Sequence, residues 1–64
     1  MITITKLNDK KIIINCELIE LVESIPDTTI TMNTGRKIIV RESADEVVAM
    51  SVAYKKELYR AIKD

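Results

Sequence analysis

The sequence has no histidine, tryptophan or phenylalanine, and Cys16 is its only cysteine. A single cysteine cannot form a disulfide within the chain, and without histidine the chain lacks the usual ligand sets for zinc. The Cys16 thiol also has no imidazole to deprotonate it, so we predict a small buried residue rather than a nucleophile. No metal, no cofactor and no catalytic residue is predicted for this sequence.

Neither sign of charge predominates, because ten basic and ten acidic residues give a formal net charge of zero. A neutral chain lacks the long-range field that draws basic proteins to nucleic acids, so nucleic-acid binding is not favoured. Long apolar runs are also missing, and the N-terminus enters an alternating pattern instead of a secretory signal. Together with the lone cysteine, these absences predict a cytoplasmic protein that does not insert into a membrane.

The short length predicts a single domain over residues 1–64. A domain of about 60 residues buries only about 60% of the surface that its unfolded chain exposes, and it often depends on a metal, disulfides or a partner subunit. Because the composition removes the first two, a homo-oligomer is the predicted means of stabilisation. Many domains of this size also fold alone, so a monomer stays open as the alternative.

Five short stretches have the alternating or β-branched pattern of β-strands. The predicted strands span residues 2–6, 11–15, 19–25, 28–33 and 36–41. Residues 12–14 and 38–40 are apolar on both faces, as expected of strands that are covered twice or that meet another subunit. The connections are short, so neighbouring strands are predicted to be antiparallel. The predicted fold class is α+β: a small antiparallel sheet or open barrel of about five strands, followed by one C-terminal helix.

Two turns and one ambiguous strand determine the details of this sheet. Asn8-Asp9 and Thr34-Gly35 have the chemistry of hairpin turns, in which a residue takes a positive φ. The third strand fits both a strand and a helix period, and its length together with Pro26 favours a strand. Strand spacing places three of its apolar residues on one face: Ile19, Leu21 and Ile25.

Residues 43–63 form the only predicted helix. Ser43 and Glu46 have the spacing of a capping box, and Asp45 adds acidic charge to the first turn. The apolar residues cover roughly 200° of the helix surface, against the roughly 100° expected of one buried face, and they divide into two stripes. The first stripe contains Val47, Met50, Tyr54, Leu58 and Ala61, and the second contains Ala44, Val48, Val52, Tyr59 and Ile62.

This wide apolar surface has two interpretations. It is either one broad face towards the core, with the Lys55 side chain reaching to solvent, or one stripe packs on the chain's own sheet while the other contacts a second copy. The residues predicted for that oligomer interface come from the second stripe and from two strands: Val48, Val52, Tyr59, Ile62, Ile13 and Ile39.

Two groups of charged residues are candidates for a site. The acidic group is Glu17, Glu20, Glu23 and Asp27. Nothing in the sequence supplies a pocket that would shift the pKa values of these carboxylates, so they are predicted to be solvated. The basic group borders the hairpins as a candidate RNA-facing rim: Lys10, Lys11, Arg36, Lys37 and Arg41. This rim has no stacking platform, because both aromatic residues, Tyr54 and Tyr59, lie in the helix.

A series of short motifs resembles the FlbD or SwrD family of small flagellar-motility proteins over residues 1 to about 56. These motifs are Leu7-Asn8-Asp9-Lys10-Lys11, Asn15, Ile19-Glu20, Ile25-Pro26-Asp27-Thr28, Gly35-Arg36-Lys37, and Glu42-Ser43 before Glu46-Val47. The family typically has Leu-Asn-Gly-Lys in the first turn and Asn-Gly in the last hairpin. Here Asp9 stands in place of that Gly, and Thr34 in place of that Asn.

The resemblance implies a small bacterial cytoplasmic protein that supports flagellar motor function and swarming, with a flagellar motor component as a candidate partner. It implies no catalysis, and it transfers no active-site residue to this sequence. The alternative function is a small β-rich RNA-binding post-transcriptional regulator. The neutral charge disfavours that alternative, because phosphate contacts supply most of the affinity for RNA.

Overall fold

The computed structural model describes residues 1–63. The strands are β1 (Ile2–Thr5), β2 (Lys11–Ile14), β3 (Ile19–Glu23), β4 (Thr28–Met32) and β5 (Lys37–Val40), and the helix is α1 (Ala44–Lys63). A 3₁₀ turn, Cys16–Leu18, connects β2 to β3. The predicted α+β class is confirmed, and the strands form open antiparallel sheets rather than a closed barrel.

The strands form two sheets that meet at one corner. β1 pairs with β2, and β4 lies between β3 and β5 in the other sheet, with all pairs antiparallel. At the end of β1, Lys6 pairs with Val40, and the Arg41 N–H donates to the Thr5 carbonyl oxygen at 2.8 Å. The spatial order is therefore β2-β1-β5-β4-β3, which leaves β2 and β3 as the outer strands.

The buried core combines residues from both sheets and from α1. Its members are Ile2, Ile4, Ile14, Cys16, Ile30, Met32, Ile38, Val40 and Val47. Cys16 is thus a buried core residue, as predicted. Met50 and Tyr54 pack against this core from the two helical turns that follow Val47. The first stripe of the helix therefore faces the sheets.

The third strand differs from its prediction in length and in direction. β3 ends at Glu23 instead of Ile25, because the chain bends ahead of Pro26 and leaves the Ile25 side chain 66% exposed. A β-bulge lies between Ile19 and Leu21. One extra residue moves every later side chain to the opposite face, so Val22 packs on the core in place of Leu21. The predicted common face of Ile19, Leu21 and Ile25 is wrong.

The other elements differ from their predicted bounds only at the ends. β1, β2 and β4 each end one residue early, and β5 is one residue shorter at both ends. The helix begins at Ala44 because Ser43 is its cap. The Glu46 N–H donates to Ser43 Oγ, and the Ser43 N–H donates to Glu46 Oε1, both at 3.1 Å. These two bonds are the predicted capping box.

The hairpins β1–β2 and β4–β5 turn in the same way. The Asp9 N–H donates to the Lys6 carbonyl oxygen at 2.9 Å, and the Gly35 N–H donates to the Met32 carbonyl oxygen at 2.9 Å. The donor residue has a positive φ in both turns, 68° at Asp9 and 91° at Gly35. Asp9 therefore occupies a backbone conformation that suits glycine, and its carboxylate pairs with the Arg41 guanidinium at 2.7 Å.

Glu42 connects the end of β5 to the start of α1. Its two carboxylate oxygens accept the Thr5 N–H at 2.9 and 3.0 Å, next to the bond from Arg41 to the Thr5 carbonyl oxygen. The side chain thus extends the pairing of β1 with β5 after the backbone has turned towards the helix. Burial opposes ionisation of this carboxyl group, but hydrogen bonds from Thr5 and from the Glu42 N–H, with the nearby Lys11 charge, outweigh it and lower its pKa.

The lowered pKa of Glu42 predicts acid sensitivity. The unfolded chain takes up a proton at this position more readily than the folded one, so the contribution of Glu42 is complete at neutral pH. It is lost as the pH falls from about 4.5 through the lower folded-state pKa. Glu42→Gln should reduce this pH dependence and lower the unfolding free energy at pH 7 by about 1 kcal/mol.

Urea denaturation between pH 3 and pH 7 measures both effects. The control is Glu57→Gln, which neutralises an exposed carboxylate on α1 and should retain the wild-type pH dependence. If Glu42→Gln loses stability with acid as steeply as the wild type, the carboxylate does not stabilise the junction in this way.

The positive φ of Asp9 predicts a difference between two substitutions at that position. Asp9→Ala and Asp9→Gly both remove the exposed pair with Arg41, so their difference isolates the backbone conformation. Asp9→Gly should be more stable than Asp9→Ala by about 1 kcal/mol, because alanine is strained in the left-handed region. Chemical denaturation of the two variants tests this expectation, and equal unfolding free energies would contradict it.

Candidate interaction surface

The second stripe of α1 is exposed from Val48 to Ile62. The exposed fraction is 53% at Val48, 46% at Val52, 64% at Tyr59 and 76% at Ile62, compared with 1% at Val47 in the first stripe. Ala44, the first residue of this stripe, is half-buried. The sheets therefore cover one of the two stripes and leave the other at the surface.

Val48 and Val52 form one side of an apolar groove between α1 and β3. The groove has a volume of about 210 Å³, and its other lining residues are Cys16, Ile19, Val22, Val47, Ser51 and Lys55. The Ser51 hydroxyl donates to the Val47 carbonyl oxygen at 2.9 Å, within the helix. Carbon atoms thus dominate the groove, which suits apolar side chains better than a polar small molecule.

The far half of α1 extends this surface. Residues 55–62 are all exposed, and Leu58 of the first stripe is 39% exposed because it lies beyond the core residues. Backbone hydrogen bonds alone stabilise a short helical segment only weakly. Packing of an apolar face supplies most of the stability of helices in proteins. This half of α1 is consequently the part of the helix that would gain most from a partner.

The six predicted interface residues lie on two separate surfaces. Val48, Val52, Tyr59 and Ile62 share the exposed side of α1. Ile13 and Ile39 are 70% and 47% exposed, on the faces of β2 and β5 that point away from the core. Their strand neighbours are buried, or half-buried at Ile12, and successive side chains of a strand alternate between faces. Because α1 covers the core side, the helix residues and the two strand residues belong to different surfaces.

The acidic candidates lie in the solvent, on the 3₁₀ turn and β3. Glu17, Glu20 and Glu23 are all exposed. Among residues 1–63, no group of histidine, cysteine, aspartate or glutamate side chains has an arrangement that could hold a metal ion. The structural role of the Glu42 carboxylate could not be predicted from the sequence, because its partner Thr5 is 37 positions away.

The basic candidates divide into three sets, and the first, Lys10 and Lys11, is exposed where β2 begins. Arg41 is bound within the chain, to the Asp9 carboxylate at 2.7 Å and to the Leu7 carbonyl oxygen at 2.6 Å. Arg36 and Lys37 instead line an open groove of about 380 Å³ between β5 and the first hairpin turn, together with Lys6, Leu7, Asn8, Ile38 and Ile39. Lys6 was not singled out in the sequence, and only the pairing of β1 with β5 brings it to this groove.

Comparison with known proteins identifies the family. The sequence matches the family model FlbD, described as flagellar and swarming motility proteins, over residues 1–59. Searches of curated proteins and of solved structures give no match. No helix within residues 1–63 combines the length and the hydrophobicity needed to cross a bilayer. The matched region includes both hairpins, the Glu42 junction and α1 as far as Tyr59, and the chain therefore belongs to the FlbD family of flagellar and swarming motility proteins.

Proposed function

We propose that this protein supports flagellar motor function and swarming as a non-enzymatic cytoplasmic protein that acts through protein–protein contacts as a homo-oligomer. The family membership supports the role in motility. The exposed second stripe of α1 supports the oligomer, because four large apolar side chains lie uncovered on one side of the helix: Val48, Val52, Tyr59 and Ile62.

Burial of the second stripe would supply the free energy of association. Full burial of a valine, leucine or isoleucine side chain contributes about 1.5–3 kcal/mol relative to its exposed state. Val48, Val52 and Ile62 retain about half or more of their exposure in the single chain, so most of that free energy is still available to a contact. A second copy supplies a matching stripe, and a two-fold contact would place the same helix face on both sides.

The non-enzymatic role is supported by the chemistry of the two grooves. The groove beside α1 is mainly apolar, and the groove beside β5 holds basic side chains with no carboxylate among its lining residues. In the groove beside α1, the Cys16 thiol is buried and the Ser51 hydroxyl donates to the Val47 carbonyl oxygen, and no carboxylate or imidazole lines the groove to activate either group. The carboxyl group with a lowered pKa, Glu42, is bound to Thr5 in the junction between the sheets.

In this proposal the oligomer presents its outer strand faces to a flagellar motor component. Ile13 and Ile39 point away from the core and from α1, so a contact between helices would leave both accessible. The motor component is then a second partner that binds after self-association through the helix.

The helix contact predicts opposite results for two pairs of substitutions. Val48→Glu with Val52→Glu should weaken self-association at least tenfold while the chain stays folded, because both side chains are exposed in the single chain. Met50→Glu with Tyr54→Glu should unfold the chain, because both side chains pack on the core. Sedimentation equilibrium measures the association, and circular dichroism measures the folding.

The matched control is Ala49→Glu with Ala53→Glu. It introduces the same charges at the same spacing, one residue along the exposed helix surface and off the second stripe. Self-association should persist in this control. The proposed contact is wrong if the control dissociates as readily as the Val48 and Val52 pair, or if that pair unfolds the chain.

The motility role is tested in cells. Deletion of the gene should abolish swarming, and the wild-type gene should restore it, whereas the Val48→Glu, Val52→Glu form should not. Normal swarming after deletion would contradict the proposed role. Full complementation by that form would separate motility from the helix contact.

A further inference from the structure

The charges of this neutral chain are segregated along its length. Between Lys11 and Arg36 there is no lysine or arginine, and the segment carries four acidic residues, Glu17, Glu20, Glu23 and Asp27. Basic residues dominate on both sides of this segment, at positions 6–11 and 36–41. The fold preserves this separation, because β3 is an outer strand of the sheet order and the basic groove lies beside β5.

The acidic segment contains β3, which is a strand with an open edge. β3 pairs on one side only, with β4, where Leu21 lies opposite Thr31 and Glu23 lies opposite Thr29. Met32 donates its N–H to Arg36, and Asn33 donates its N–H to Leu18, so alternate β4 residues bond to β5 and to β3. By this alternation the backbone groups of Val22 point outward, away from β4. Glu20 and Glu23 are exposed on the same strand.

The basic groove follows the first part of β5, on the side that β1 pairs with only near the end of the strand. The Arg36 carbonyl oxygen accepts the Met32 N–H, and the Arg41 N–H donates towards β1. The backbone groups of Lys37 and Ile39, which alternate with those of Arg36, therefore point away from β4. On this side, the end of β1 pairs with the end of β5, through Lys6 with Val40 and through the bond from Arg41 to Thr5. The groove of about 380 Å³ lies where pairing with β1 stops.

We propose that β3 of one copy of this chain adds to the open edge of β5 in the next copy, as an additional strand in the basic groove. The five residues of β3 are long enough to span the groove side formed by residues 36–39. Exposed backbone groups on each edge would supply hydrogen bonds, and alternate side chains would set the position of the strand.

Charge complementarity selects this pairing over the other pairings of the same edges. Glu17, Glu20 and Glu23 of the added copy meet Lys6, Arg36 and Lys37 of the groove. Two β5 edges would place like charges together, as would two β3 edges, and like charges across an interface oppose association. The favoured contact is therefore head to tail, and a contact of this kind builds a ring or a filament instead of stopping at a dimer.

This contact rests on the proposed function, because it takes the chain to be a homo-oligomer. It adds a second surface through which copies of the chain associate. It uses the sheet edges, whereas the helix contact uses the second stripe of α1, so each contact can be removed without the other. If the Val48 and Val52 substitutions do not weaken self-association, the helix contact is wrong but the edge contact is unaffected. If the edge substitutions do not weaken it, the edge contact is wrong but the helix contact is unaffected.

A charge exchange between the two edges tests the proposal with the full chain. Arg36→Glu with Lys37→Glu makes both edges acidic, and Glu20→Lys with Glu23→Lys makes both edges basic. In 50 mM salt the wild type should form species larger than a dimer in sedimentation velocity. Each variant alone should lose these species, with association weakened at least tenfold. An equimolar mixture of the two variants should recover them, because every groove then finds a strand of opposite charge.

Several results would overturn the assignment. Variants that assemble like the wild type, or a mixture that stays as small as its components, would exclude the charge-paired edge. If the wild type forms nothing larger than a dimer in 50 mM salt, β3 of a second copy does not occupy the basic groove. Binding of a synthetic peptide of alternating glutamate and threonine to the groove would not reverse that conclusion. Circular dichroism of each variant excludes unfolding as the cause, and Lys56→Glu with Arg60→Glu is the control that makes the same change of charge on α1, at exposed positions off the second stripe.

Discussion

The junction at Thr5 holds the two sheets and the helix together. The Thr5 carbonyl oxygen accepts the Arg41 N–H, and the Thr5 N–H donates to the Glu42 carboxylate. An isolated two-stranded hairpin is marginally stable in water, so β1 and β2 depend on their attachment to the other sheet. The same three residues of chain, 41–43, end β5, bind β1 and cap α1. The direction in which the helix leaves the sheets is thereby fixed at the point where the sheets meet.

From that junction the helix follows a path that the sheets can cover only in part. α1 has 20 residues and is therefore about 30 Å long, whereas the core contacts end at Tyr54. The smallest chains have too few residues to cover a helix on two sides. The exposed stripe is thus a consequence of placing one long helix on two small sheets, and a second chain is the simplest way to cover it.

Local features of the sequence predicted local structure well. The capping box of Ser43 and Glu46, the division of the helix into two stripes and the positive φ of Gly35 each depend on residues that are close in sequence. The chemistry of one short segment is enough to specify them. The same holds for the positions of most strands, whose ends alone differ by a residue.

Features that depend on distant residues could not be predicted. The pairing of β1 with β5 brings Lys6 to Arg36 and Thr5 to Glu42, and no local pattern records that these segments meet. The bulge between Ile19 and Leu21 is a second case, because the sequence of β3 fits an uninterrupted strand equally well. Its effect is large, since it exchanges Leu21 for Val22 on the core side, where Val22 also lines the groove beside α1. The candidate surface on α1 and the basic residues Arg36 and Lys37 were therefore visible in the sequence, but the groove that they form with Lys6 was not.

The central claim is that the chain self-associates to cover the apolar surface that its fold leaves exposed. Sedimentation equilibrium of the wild-type protein at tens of micromolar tests it most directly, since self-association of roughly −6 kcal/mol or stronger is visible in that range. If the chain self-associates, the measured mass exceeds the 7.3 kDa of one chain and rises with concentration. A folded protein that stays at 7.3 kDa over the whole range would contradict it.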